Sequence, residues 1–137
     1  MYQAMRSIWL ICFLLLVSVP PARAQDRLNI VASFSILGDF VRTIGGDRVS
    51  VTTLVGPDGD AHVYTPTPAD AKKIADAKLV IVNGLGFEGW LSRLVQSSGR
   101  KPTIVTATSG IAPRKLGSEA DPHAWQSAAN AKVYVAN

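Results

Sequence analysis

Apolar positions along the chain change their spacing several times, and each change marks an element. From Leu28 to Ser33 the residues are apolar and β-branched, which predicts a buried strand. Ile36, Leu37, Phe40, Val41 and Ile44 then fall at helical spacing, with Ser35 placed to cap the helix and Gly45-Gly46 to stop it. Val49 to Val55 alternates and is rich in Val and Thr, a second strand, and Gly56-Pro57-Asp58-Gly59-Asp60 is a turn-rich loop. Thr67-Pro68-Ala69-Asp70 opens a second helix. Thr67 serves as its cap, Pro68 takes the first position, where no N–H is needed, and Asp70 lies in the first turn. That helix carries Ala71, Ile74 and Ala75 inward and ends near Lys78.

Leu79 to Val82 is continuously apolar, as expected of a strand covered on both faces. A glycine-rich turn leads to a helix around Trp90, Leu91, Leu94 and Val95, and Lys101-Pro102 precedes a fourth strand at Thr103 to Thr106. Ser109 to Asp121 reads as loop, and Ser127 to Asn137 as a last helix. Strands alternating with helices define the fold class as α/β, a parallel four-stranded sheet flanked by helices.

The first 24 residues do not fit that alternation. Arg6 supplies a positive start, Ile8 to Val19 is an almost unbroken apolar run, Pro20-Pro21 ends it, and Ala22-Arg23-Ala24 is a small-x-small pattern. A dozen apolar residues fall short of the ~20 that span a bilayer. Residues 1–24 are therefore read as a secretory signal peptide cut before Gln25, which implies a periplasmic destination, and residues 25–137 as the folded part. Cys12, the one cysteine, lies in that leader without the small residues of a lipoprotein cleavage site before it. The remainder has no thiolate ligand and no disulfide.

Charge adds little. Of 14 basic residues, Arg6 and Arg23 belong to the leader, leaving twelve against 10 acidic ones. They are scattered, without the basic stripe that a nucleic-acid partner calls for.

Two segments carry candidate chemistry. Gly84-Leu85-Gly86-Phe87-Glu88-Gly89 matches a dinucleotide fingerprint after a strand, but no acid follows about 20 residues on, and Glu88 would oppose a pyrophosphate. A tight strand-to-helix turn is the better reading. The second is the chain's only pair of histidines, His62 just beyond the second strand and His123 beyond the fourth. Open α/β sheets bind ligands outside the carboxyl ends of their strands, so both can reach one rim. Either alone is an ordinary loop histidine, but together they suggest a shared metal. Pro66 and Pro68 stiffen the chain after His62, Asp121 is placed to orient the His123 ring, and Tyr64 and Trp125 could shield the site. Trp90 is read as packing.

At these residues the chain resembles the N-terminal part of the periplasmic metal-binding proteins of zinc and manganese ABC importers, a cluster that includes the adhesin lipoproteins. Asp60 to Asp70 matches the family pattern D-x-H-x-Y-x-P-T-P-x-D, Asp121 to Trp125 matches D-P-H-x-W, and Asn83 to Glu88 followed by Trp90-Leu91 resembles N-G-x-x-x-E…W-L. The resemblance implies a two-lobed fold with metal in the cleft and His62 and His123 as its first two ligands. A third ligand, usually histidine, and a carboxylate would come from a C-terminal lobe that lies outside this chain. It further implies a monomeric, non-enzymatic solute-binding protein that delivers Zn²⁺ or Mn²⁺ to an ABC permease in the inner membrane. The segment Ala107 to Ala120 lacks the histidine-rich loop of many zinc-specific members, which tilts the choice slightly toward manganese. A metal-dependent hydrolase would need a third ligand and a general base, and neither is in view. Adhesion is suggested only by the family's older names.

Overall fold

A computed structural model of the chain describes residues 26–137. The proposed signal peptide and Cys12 lie outside the described residues. Four parallel strands, β1 (Leu28–Phe34), β2 (Val49–Val55), β3 (Leu79–Val82) and β4 (Thr103–Thr106), form one sheet in the order β2-β1-β3-β4. Helices α1 (Ser35–Gly45), α2 (Pro68–Asp76) and α3 (Leu91–Ser97) make the three crossovers. The order reverses direction after β2. Right-handed crossovers therefore put α1 on one face of the sheet and α2 and α3 on the other. The α/β fold with a four-stranded parallel sheet flanked by helices is the one read from the sequence.

Central strand β1 is buried from Ile30 to Phe34, as a strand with neighbours on both sides and helices on both faces must be. The core gathers Val31, Leu37, Val55, Ile74 and Val80. Coverage of β3 is less complete than its apolar run suggests. Val80 and Val82 are buried, whereas Leu79 and Ile81 are half-exposed beside the short edge strand β4. Among the described residues no helix is long and apolar enough to cross a membrane.

Three local details differ from the sequence reading. Ser35 is the first residue of α1 and not its cap: Phe34 holds the cap position, with no side-chain cap hydrogen bond. Helix α2 ends at Asp76, short of Lys78. The loop after β4 contains a hairpin, β5 (Lys115–Leu116) with β6 (Glu119–Ala120), closed by Gly117-Ser118 with Gly117 at φ 66°. A glycine at positive φ suits such a two-residue turn. The chain ends in helix α4 (Ala128–Ala136), one residue after Ser127.

The start of α2 is fixed as its sequence requires. Thr67 Oγ1 accepts the Asp70 amide, and Asp70 Oδ2 accepts the Thr67 amide at 2.8 Å, a reciprocal capping box. Asp70 is buried, and it also accepts from the Tyr64 hydroxyl at 2.8 Å and from Lys73 Nζ at 2.8 Å. Burial pushes its carboxyl up, but the Lys73 ammonium, the Thr67 amide and hydroxyl and the Tyr64 hydroxyl outweigh that and hold it well below the usual carboxylate range.

A depressed folded value stabilises the fold above the unfolded value of about 3.9, and this contribution is lost as pH falls below it. The melting temperature of the wild type should therefore fall steeply from about pH 4.5 to 2.5, and that of Asp70→Asn less steeply over the same range. Parallel acid limbs in a thermal scan would contradict this role for Asp70.

Candidate metal centre

Both histidines emerge at the carboxyl edge of the sheet, on loops anchored at both sides. Before His62, the Ala61 carbonyl accepts the indole N–H of buried Trp90 at 2.7 Å. After it, Tyr64 is tied to Asp70 and packs edge-on against Trp90, ring centroids 5.1 Å apart. His123 follows the β5–β6 hairpin and precedes a 3-10 turn at Ala124–Gln126. The Pro122 carbonyl just before it accepts from Asn83 Nδ2 at 2.9 Å. Each histidine thus has the preceding carbonyl held by a buried side chain from a distant part of the chain.

The two D-x-H phrases fold alike. The His62 amide donates to Asp60 Oδ1 at 2.8 Å, and the His123 amide to Asp121 Oδ1 at 3.0 Å. Such Asx turns set the backbone before the ring is placed. Asp121 does more, because its Oδ1 lies 2.8 Å from His123 Nδ1. The His123 amide and ring together hold the Asp121 carboxyl below its ordinary value. A carboxylate there accepts a hydrogen bond from Nδ1–H, which keeps the proton on Nδ1 and leaves the lone pair on Nε2.

The two rings meet. Nε2 of His62 and Nε2 of His123 are 3.2 Å apart. With metal–nitrogen bonds of 2.0–2.1 Å, two imidazoles spanning a tetrahedral angle would place these atoms about 3.3 Å apart, and at a right angle about 2.9 Å. The observed separation lies between the two values, so one ion fits both nitrogens. Among the described residues no third histidine, cysteine or carboxylate joins them in a cluster able to hold a metal.

Aromatic rings make the floor. Phe87 meets His62 edge-on with centroids 4.5 Å apart, and it also packs against Phe34 and Trp125 at 5.0 and 5.1 Å. Trp125 lies against His123 at 5.3 Å. Two clefts are lined by both histidines: one of about 420 Å³ with Phe34, Phe87, Trp125, Asp58 and Asp60, and one of about 460 Å³ with Leu85, Leu116 and Glu119. A roomier groove of about 660 Å³, lined by Tyr64, Pro66, Trp90 and Arg93, holds neither histidine.

Trp125 lies at the cleft against His123, but Tyr64 does not line it. Its hydroxyl is engaged by Asp70, and its ring lies against Trp90. Trp90 packs and also fixes the chain at Ala61. Sequence reasoning missed Phe34 and Phe87; the available signal was their place at the carboxyl edge of the sheet, Phe34 as the last residue of β1 and Phe87 in the glycine-rich turn after β3.

The glycine-rich turn is occupied from within. Glu88 accepts the Asn83 amide at 2.7 Å, the Gly84 amide at 3.1 Å and the Ser33 hydroxyl at 2.6 Å. A carboxylate of the chain itself sits where a phosphate would have to bind, which disposes of the dinucleotide reading. Gly84 has φ 86°, and a Cβ there would lie 2.5 Å from Thr106 Cγ2, so the turn requires glycine.

The strand ends of an open parallel sheet thus present two converging imidazoles over an aromatic floor. Residues 30–137 match the family of zinc-uptake complex component A, periplasmic, and the chain belongs to that family. Over 111 residues it is 42% identical to the manganese-binding lipoprotein MntA of Halalkalibacterium halodurans, covering 80% of this chain and 37% of that protein. Among solved structures it resembles the Mn-bound periplasmic metal-binding protein of Candidatus Liberibacter asiaticus (TM-score 0.69, 40% identity, 79% of this chain and 42% of that one). It also resembles Zn(II)-bound AdcA of Streptococcus pneumoniae (TM-score 0.71, 29% identity, 80% and 24%). The chain spans about two fifths of the length of the curated relative.

If the Asp121 carboxylate raises the donor strength of His123, Asp121→Asn should weaken Zn²⁺ binding roughly tenfold while leaving the fold intact. Competition against a chromophoric chelator measures it, and an unchanged affinity would remove Asp121 from the site.

Proposed function

We propose that this chain is the metal-capturing N-terminal lobe of an extracytoplasmic solute-binding protein, and that His62 and His123 are two of the ligands of a divalent zinc or manganese ion passed on to an ABC permease. The observation that carries the reading is the 3.2 Å approach of two Nε2 atoms, one of them oriented by Asp121. Buried partners hold the flanks of both histidines. The rings therefore meet at little entropic cost, as a preformed site requires. Binding and release suffice for such a role, and no bond of a substrate is broken.

Residues 1–24 serve in this reading as the export signal and residues 25–137 as the lobe. Remaining ligands come from groups outside the described residues, so two imidazoles alone bind loosely. The test is equilibrium dialysis of the chain with Zn²⁺ and with Mn²⁺. One ion bound per chain, and none to a His62→Ala, His123→Ala double variant, is the expected result. Equal uptake by the double variant would refute it.

A further inference from the structure

Asn83 is fully buried at the end of β3, and every polar atom of its side chain is used. Nδ2 donates to the Pro122 carbonyl at 2.9 Å and to the Gly84 carbonyl at 3.1 Å, while Oδ1 accepts from the Tyr134 hydroxyl of α4. Its own carbonyl accepts from the Thr108 hydroxyl at 2.6 Å, and its amide is taken by Glu88. One side chain therefore ties the strand end, the residue before His123 and the last helix together. From this geometry we propose that Asn83 is a positioning residue for the metal ligand His123, held in register by Tyr134.

Hydrogen-bond capacity selects the residue. Two carbonyls on one side demand two N–H donors, and a hydroxyl on the other demands an acceptor; only an amide offers both at this length. Aspartate is nearly isosteric, but it would turn oxygen toward the Pro122 and Gly84 carbonyls. Tyr134 can act as a lock because it is a donor throughout the physiological range: burial and the nearby Glu88 carboxylate push its hydroxyl up to about 12. Its ring is fixed as well, edge-on to Phe40 of α1 with centroids 5.9 Å apart. Proline at 122 has no N–H of its own, so its carbonyl is the handle by which the His123 backbone can be gripped from the β3 side. Trp90 grips Ala61 in the same way on the His62 side.

The inference rests on the two-histidine reading and is tested with Co²⁺ as a spectroscopic stand-in for Zn²⁺ on the whole chain. Asn83→Asp should weaken Co²⁺ and Zn²⁺ binding by roughly 10- to 100-fold and shift the visible Co²⁺ bands, as loss of an outer partner of a ligand does. Tyr134→Phe, which keeps the ring, should act in the same direction by a smaller factor and serves if Asn83→Asp does not fold. Ile74→Val loosens the core at a residue that lines neither histidine cleft and should lower the melting temperature with affinity and spectrum unchanged.

Variants at 83 and 134 that melt lower but keep wild-type affinity and bands would overturn the positioning role. A Co²⁺ spectrum that survives His62→Ala would instead bring down the two-histidine reading, and this inference with it.

Discussion

Replacing Glu88 by leucine is expected to cost at least about 3 kcal/mol of stability and to lower the melting temperature by more than about 12 °C. The size follows from what the carboxylate holds. Ser33, at the end of β1, and Asn83 and Gly84, at the end of β3, all donate to it, and both Ser33 and Asn83 are fully buried. Leucine would leave the buried Ser33 hydroxyl and Asn83 amide, and the half-buried Gly84 amide, without their partner, at about 1–3 kcal/mol for each buried donor.

A domain of this size has about 5–15 kcal/mol in all, so a loss of about 3 kcal/mol removes between about a fifth and three fifths of it. Glutamine, nearly isosteric, should recover part of the loss, since its one oxygen can accept from only some of these donors. A thermal scan of the three proteins decides the matter. A Glu88→Leu melting point within about 3 °C of the wild type would show that these donors find other partners.

The second large effect concerns metal. His123→Ala should weaken Zn²⁺ binding by more than the roughly 100-fold that loss of an outer-shell partner can reach, because it removes a donor atom itself. His62→Ala should do the same, but the two differ in their effect on the fold. His62 is exposed, and its ring touches Phe87 from one side, whereas His123 is half-buried with Asp121 on its Nδ1 and Trp125 on its face. His123→Ala should therefore lower the melting point of the metal-free chain more than His62→Ala does. Calorimetric titration and thermal scans on the same samples report both. Retention of wild-type affinity by either variant would exclude that histidine as a ligand.

Much of this fold is legible in the sequence because its signals are local. The four strands announce themselves by apolar runs bounded by glycine, proline or charge, and α2 by a complete capping box within four residues. The partnership of Asp121 with His123 is likewise local, although the Asx turns of both D-x-H phrases emerge only in the structure.

What escaped was set by contacts between distant residues. Ser33 and Glu88 are 55 residues apart, Asn83 and Pro122 39, and Ala61 and Trp90 29, and no periodicity reports such partners. The expectation for Tyr64 failed for a related reason. A position two residues from a ligand places a side chain along the chain but not in space, and the hydrogen bond to Asp70 turned it away from the cleft. The β5–β6 hairpin was too short for its pattern to show, although Gly117-Ser118 is a recognisable hairpin turn.

X-ray absorption at the zinc edge of the Zn²⁺-loaded chain tests the two-histidine site most directly. The account predicts scattering from two imidazole rings per zinc at about 2.0–2.1 Å, with one ring lost in either histidine variant. A spectrum with no imidazole, or one unchanged by both substitutions, would contradict it.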